Sequence, residues 1–355
     1  MCNCSMDVLT DYYTDFLAVC PGQATATFMS EVLEGTVSHD QITRLLNSGK
    51  LDSVALWKMV KPICHELQSN DGVLVIDDSL QPKPHSRISD MVCWYYDHTK
   101  GRTVKGINFL SAIYHSQGAS IPVGIEFVMK DVIYTDNKGK EKRKSKISKQ
   151  EQFRNLVSEA VWKMPVSYVL ADTWYCCADN MNHIVNECNS HFILGCKENR
   201  NVALSLEDKK AGRYQSIKEA APEGCVRTVW FEKLDFPVMI TKQVFKHEDG
   251  SCGTLYLVSS DLKLDAAGIS AIYQRRWKAE EFYRSTKYNT GLGNSPAWEV
   301  TPRKSHLIAS VMAFVKMEVL NMRYQKNHYV IKRQLFKLAT KEAWKNLCQL
   351  QFHAA

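Results

Sequence analysis

A chain of 355 residues, 45% hydrophobic and 23% charged, can bury a core, which excludes a disordered or fibrous polypeptide; its length suits two to three domains. Lysine and arginine total 45 against 38 acids, a formal net charge of +7, compatible with nucleic acid or an anionic substrate without requiring either. Twelve cysteines without a C-x-x-C pair, after a start (MCNCSMDVLTDYYTDF) lacking an export signal, predict reduced thiols in a soluble cytoplasmic protein.

Residues 1–70 read as helical. Ser38 and Gln41 have capping-box spacing, Ile42, Leu45 and Leu46 form an apolar stripe, and Gly35 and Gly49 bound a helix of about eight to ten residues. Its exposed side would carry His39, Gln41 and Arg44, which can reach base edges or phosphates; an ordinary surface helix would look the same.

From Val73 the pattern changes. The run VLVI at 73–76 reads as a strand buried on both faces. Further strands are expected at 91–96, 107–114 and 121–129, with turns at Lys100-Gly101 and Gln117-Gly118. The stretch 138–149 holds seven basic residues and one Glu, among them Lys142, Arg143 and Lys144. It reads either as a track for a DNA backbone or as a solvated loop. A helix at 151–163, a strand at 168–171, a helix through 180–188 and a strand at 192–194 complete a mixed α/β order.

Residues 199–262 read as strand-rich, with strands at 227–232, 238–245 and 254–259. One long helix is expected over 266–288, before Gly291, Gly293 and Pro296. The remainder, 304–355, reads as helical and carries Lys332, Arg333, Lys337, Lys341 and Lys345. Its most apolar stretch, 307–320, contains Lys316 and Glu318 and is too short to span a membrane, so it reads as a core helix.

Three acidic positions stand out by placement. Asp77-Asp78 closes the strand VLVIDD, and Asp172 closes YVLAD. Strand ends of α/β folds open on the ligand crevice, where two carboxylates could hold Mg²⁺; either Asp could equally cap a helix. On the long helix Tyr273, Arg276, Glu280 and Lys287 fall within an arc of roughly 60° at about 100° per residue, with Arg284 near it. Glu281 turns away. A solvated face with an Arg276–Glu280 pair would also give this spacing.

The segment YQRRWKAEEFYRSTK resembles the Y-x2-R-x3-E-x6-K signature of bacterial insertion-sequence transposases of the DDE type. VLVIDDS is similar to that family's first-Asp strand and YVLADTWY to its second, with PKPHS and WYYDHTKGRTVKG between them. The resemblance covers about residues 20–320. It implies an RNase H-like α/β core, a mixed sheet flanked by helices, split by a β-rich inserted domain. The segments would be an N-terminal helical DNA-binding region (1–70), the first part of the core (71–198), the insertion (199–262), the second part with the catalytic helix (263–300) and C-terminal helices (301–355).

By the same resemblance, Asp78, Asp172 and Glu280 would hold two Mg²⁺ ions, for which Mn²⁺ could substitute. Asp78 is preferred because it precedes Ser79, and Asp77 stays open. Tyr273, Arg276, Lys287 and Arg284 would contact phosphates. The partner would be double-stranded DNA, both transposon-end inverted repeats and target, held by a homodimer in the synaptic complex. Relatives often form a hairpin end whose flipped base stacks on an inserted-domain aromatic; here Tyr256 and Trp230 are the candidates. Two alternatives stay open, a metal-dependent nuclease without strand transfer and a catalytically silent transposase-derived DNA-binding protein. The irregular set Cys176, Cys177, His183, Cys188, His191 and Cys196 reads as core cysteines ahead of a zinc site.

Overall fold

The computed structural model describes residues 5–97, 100–246 and 250–353. Four helices lead: α1 (Met6–Val19), α2 (Ala26–Val32), α3 (His39–Asn47) and α4 (Ser53–Leu67). Their starts follow from side-chain caps, because the first N–H groups of a helix lack internal partners. Ser5 accepts from Val8 N–H and Thr25 from Phe28 N–H, and Ser38 with Gln41 forms the expected capping box. That box removes Gln41 from the DNA-facing set, since its side-chain oxygen accepts from Ser38 N–H at 2.9 Å.

Strands β1 (Val73–Pro82), β2 (Cys93–Asp97), β3 (Arg102–Ser116) and β4 (Ala119–Phe127) follow, then the short pair β5 (Val132–Thr135) and β6 (Glu141–Lys144). The β3–β4 turn has Gln117 and Gly118 both at positive φ, the two-residue turn whose twist matches an antiparallel hairpin. Next come α5 (Lys149–Lys163), β7 (Tyr168–Ala171), α6 (Ala178–Asn182) running into a π-helical turn (His183–Glu187), and β8 (His191–Cys196). Short elements β9 (Asn201–Val202), α7 (Leu206–Lys210), β10 (Gln215–Ser216) and α8 (Ile217–Ala220) precede β11 (Arg227–Val229), β12 (Val238–Lys246) and β13 (Cys252–Ser259). Helices α9 (Ala266–Gln274), α10 (Trp277–Asn289), α11 (Val300–Tyr324) and α12 (His328–His353) end the chain.

The chain divides into two compact units. One comprises Pro62–Ser79 and Asn108–Glu280. Its sheet runs β11-β12-β13-β8-β7-β1-β3, with β4 on β3. β1, β7 and β8 are parallel, and β11 to β13 join antiparallel at β8. The mixed α/β order expected from the sequence is therefore the order adopted. The segment 199–262, expected as a β-rich insertion, contributes β11, β12 and β13 to this same sheet. Buried Leu257 and Val258 of β13 pair with Gly195 and Leu194 of β8, so its apolar surface is shared with the core strands.

The other unit comprises Met1–Lys61, Leu80–Ile107 and Glu281–Ala355. Here α1, α3 and α12 pack on α11. The helices expected as separate N- and C-terminal regions thus share one core. The reason lies in α11, buried on nearly every side from Ser305 to Val315, which needs helices around it. It is a core helix, as expected, and no helix among the described residues is long and apolar enough to cross a membrane.

At its centre the Tyr13 hydroxyl meets His306 Nδ1 at 2.8 Å, and His306 Nε2 meets the Gly291 carbonyl at 2.9 Å. A carbonyl only accepts, so Nε2 carries the proton and the Tyr13 hydroxyl donates. Burial holds the ring neutral, its pKa pushed down to about 4. Tyr13→Phe would leave Nδ1 buried without a donor, and we expect it to cost about 1–3 kcal/mol in urea unfolding.

Candidate active site

β1 and β7 lie side by side, with Val73, Leu74 and Val75 opposite Tyr168, Val169 and Leu170. The paired register ends at Val75 and Leu170. β1 runs on to Pro82, so Asp77 and Asp78 lie midway along it and do not close it as expected, while Asp172 directly follows the last residue of β7. Successive residues of a strand alternate. Asp77 and Asp78 therefore turn to different neighbours, although the charge of Asp78 also acts on Asp172.

The contacts follow this division. Asp77 Oδ2 stands 3.5 Å from Arg276 Nη1, and Arg276 Nη2 lies 3.9 Å from Glu280 Oε1. One guanidinium thus links Asp77 and Glu280. Asp78 instead accepts from Lys149 Nζ at 2.7 Å, Asn108 Nδ2 at 2.9 Å and the Tyr175 hydroxyl at 3.0 Å. Asp78, the one preferred from its Ser79 neighbour, is thus tied to α5, β3 and Tyr175.

Burial first, and then the charges of Asp172 and Asp78, push the Asp77 carboxyl up to about 7 against the pull of Arg276. Burial also raises Asp172, helped by the Asp78 charge and opposed by the Trp174 and Tyr175 N–H groups and by Arg276. Carboxyls this buried, with other carboxylates near, hold their protons because Arg276 offsets only part of the burial and repulsion. A hard divalent cation with oxygen ligands suits that deficit, and the donor chemistry of Asp77, Asp172 and Glu280 fits it. Among the described residues no three acidic, His or Cys side chains are already gathered to hold a metal. Arg276 supplies the positive charge in this arrangement.

The long helix expected over 266–288 is broken. α9 ends at Gln274 and α10 begins at Trp277. Across the joint the N–H groups of Arg275, Arg276, Lys278 and Ala279 each bond to the carbonyl three residues back, a tightened turn. The face calculated for one continuous helix does not carry across it. Arg276 and Glu280 still meet, but the Tyr273 ring is buried, 5.8 Å from the Arg276 guanidinium. The Tyr273 hydroxyl donates to the Ala171 carbonyl at 3.4 Å. A Cβ on Gly195 would come within 2.8 Å of that hydroxyl, so glycine makes the contact possible. Tyr273 thus packs against the strand ends, and burial pushes its phenol up to about 12. Further along α10, Arg284 and Lys287 are exposed.

The other expected contacts divide similarly. Arg44 is exposed, with Nε donating to the Asp40 carbonyl at 3.3 Å. The basic stretch is strand only at its centre: Lys142, Arg143 and Lys144 lie on β6, paired with β5, with turns or bends on either side. Lys142 binds Asp136 at 2.8 Å, and Lys144 sits 5.5 Å from the Tyr134 ring centre. Tyr256 is buried within the sheet, so its ring cannot receive a flipped base; Trp230 is half-buried beneath Lys209 Nζ. Cys176 and Cys196 are buried, while His183 meets Ser158 and Glu187.

Several residues at the site escaped the sequence reading. Lys149 belongs to the basic run, yet Ser148 caps α5 by accepting from Glu151 N–H, which places Lys149 in the first turn facing Asp78. The Ser148-x-x-Glu151 spacing carried that signal. Asn108 and Tyr175 gave none. Trp174 is exposed, its backbone N–H donates to Asp172 Oδ1 at 2.9 Å, and Lys197 Nζ lies 5.9 Å from its ring centre.

The chain matches the family described as DDE superfamily endonuclease over residues 6–223. That span includes Asp77, Asp78 and Asp172 and stops before Glu280. No curated protein matches the chain.

Proposed function

We propose that this chain, which belongs to the DDE superfamily of endonucleases, is a transposase that cuts DNA at element ends and joins them to a target. The observation that carries this reading is the gathering of acids: Asp77 lies within reach of the Asp172 charge and is joined through Arg276 to Glu280. The mixed sheet and the parallel β1–β7–β8 core suit an RNase H-like fold. Endonucleases of this superfamily generally use divalent metals. Asp77, Asp172 and Glu280 would hold Mg²⁺, with Mn²⁺ able to substitute. Bound Mg²⁺ supplies Lewis-acid polarisation of the phosphate and activation of the attacking water.

The chain's own groups do the positioning. The Asp77 carboxyl, near neutral in proton affinity, must release its proton before it serves as a ligand. Arg276, freed from Asp77 and Glu280, is placed to bind the scissile phosphate bidentately, as guanidinium geometry favours. Asp78 anchors Lys149 beside the strand ends, a fixed cation for the same phosphate. Exposed Arg284 and Lys287 on α10, and Lys142, Arg143 and Lys144 on β6, supply further backbone contacts. Exposed Arg44 on α3 would contribute to recognition of the terminal inverted repeats. Two copies would bring the ends together.

The test is a supercoiled plasmid carrying both flanks of the coding region, incubated with protein and Mg²⁺. Cleavage at the flanks followed by joining of the freed 3′-OH to target DNA is the expected result. Cutting without joining would assign a nuclease of the same fold, and DNA binding with no cutting a silent derivative.

A further inference from the structure

α12 lies outside the residues matched by the family, and its features are unlike those of the core. Its first turn is fixed to the end of α10. Lys332 Nζ donates to the carbonyls of Tyr288 and Asn289 at 3.2 and 2.8 Å, and His328 meets Ser285 at 2.7 Å and Glu318 at 2.8 Å. Beside this junction is a cleft of about 440 Å³ whose lining includes Tyr288, Tyr329, Phe336, Asn294 and Arg333. Tyr288 is 72% exposed and Tyr329 45%. Two phenol rings open to solvent among cations offer π-faces to a planar partner.

From that cleft the helix continues with Arg333, Lys337, Lys341 and Lys345, all exposed and four residues apart. Each step is about 6 Å along the axis and turns by about 40°, so the four form one gently winding row roughly 18 Å long. Like charges at this spacing repel and weaken a helix. The helix has a single acid, Glu342, which meets Lys345 at 3.3 Å. A solvated helix designed only for its own stability would intersperse acids along the row. Trp344, 70% exposed, stands beside it.

We propose that the cleft and this row bind an unpaired stretch of DNA, with a base stacked against Tyr288 and Tyr329 and successive phosphates on Arg333, Lys337, Lys341 and Lys345. Bases inside a duplex hide their faces, whereas an unpaired base presents them to aromatic rings, and cations follow the backbone of either form. The two halves of the site therefore make separable contributions. The rings select the single strand and the row supplies salt-dependent affinity. This goes beyond the transposase reading and rests on it only in naming DNA as the polyanion.

The test reads equilibrium anisotropy of a labelled dT15 and a 15-bp duplex with full-length Glu280→Gln protein in EDTA, so that neither metal nor cleavage enters. The expected result is dT15 bound about tenfold or more tighter than duplex. Tyr288→Ala/Tyr329→Ala should weaken dT15 binding by about tenfold or more and leave duplex binding unchanged, while the Tyr288→Phe/Tyr329→Phe pair restores it. Arg333→Glu/Lys341→Glu should weaken both ligands and flatten the dependence of log K on log salt. Unchanged dT15 affinity in the double Ala variant, or loss that the Phe pair also shows, would overturn the stacking role. Unchanged affinity in the charge reversal would overturn the row. A dimer in sedimentation that the charge reversal dissolves, with DNA binding intact, would assign the surface to a second copy instead. Failure of metal-dependent cleavage leaves every arm readable.

Discussion

Asp77→Asn is expected to abolish metal-dependent DNA cleavage, whereas Asp78→Asn should retain most of it. The two residues are neighbours, but the alternation of a strand sends them to different partners. Asp77 faces Arg276 and the charge of Asp172, and Asp78 is held by Lys149, Asn108 and Tyr175. Lewis-acid assistance is worth several kcal/mol, and about 1.4 kcal/mol is a factor of ten in rate. Loss of a ligand should therefore lower single-turnover nicking by about a thousandfold or more. Asp172→Asn and Glu280→Gln should match it. Asp78→Asn removes a charge-assisted hydrogen bond with Lys149, and about 1–3 kcal/mol of stability with it, but should slow nicking by no more than about tenfold. A dead Asp78→Asn protein beside an active Asp77→Asn one would reverse the assignment.

The elements around the site were legible because local chemistry decides them. Ser38 with Gln41, the apolar run at 73–76 and the Gln117-Gly118 turn each formed as read. The choice between Asp77 and Asp78 was not legible. An Asp-Ser pair looks the same on either face, and the partners that distinguish the two, Arg276 for Asp77 and Lys149 for Asp78, are remote in sequence. The break at Arg275-Arg276 escaped for a related reason. No Pro or Gly marks it, and Arg275 there donates to the Asp71 carbonyl at 2.8 Å, a partner remote in sequence. Strand signals in 227–259 give the strands without saying which sheet they join. Pairing of β13 with β8 is a long-range fact, and so is the packing of α1 on α11.

The second large effect is on stability without metal, and its sign is opposite to that of an ordinary carboxylate. The Asp77 pKa lies near 7 in the folded protein against 3.8 for a free Asp, so the folded state keeps a proton that the unfolded chain gives up. That proton's stabilisation is complete below about 3.8 and is lost as pH rises through 7. At 1.36 kcal/mol per unit of pKa the loss approaches about 4 kcal/mol, and about 2–4 kcal/mol is the expected range for a partly relaxed site. Asp77→Asn cannot lose a proton there. In EDTA its melting temperature should equal the wild type's near pH 4 and exceed it by several degrees at pH 8. Mg²⁺ competes with the same proton, so it should raise the wild-type melting temperature at pH 8, have little effect at pH 5, and leave Asp77→Asn nearly unmoved at both. Parallel melting curves for the two proteins from pH 5 to 8 would mean that Asp77 carries neither the displaced proton nor the metal. The variant that loses catalysis should thus be the more stable protein at high pH, because the wild type stores unbalanced charge where the cation is to bind.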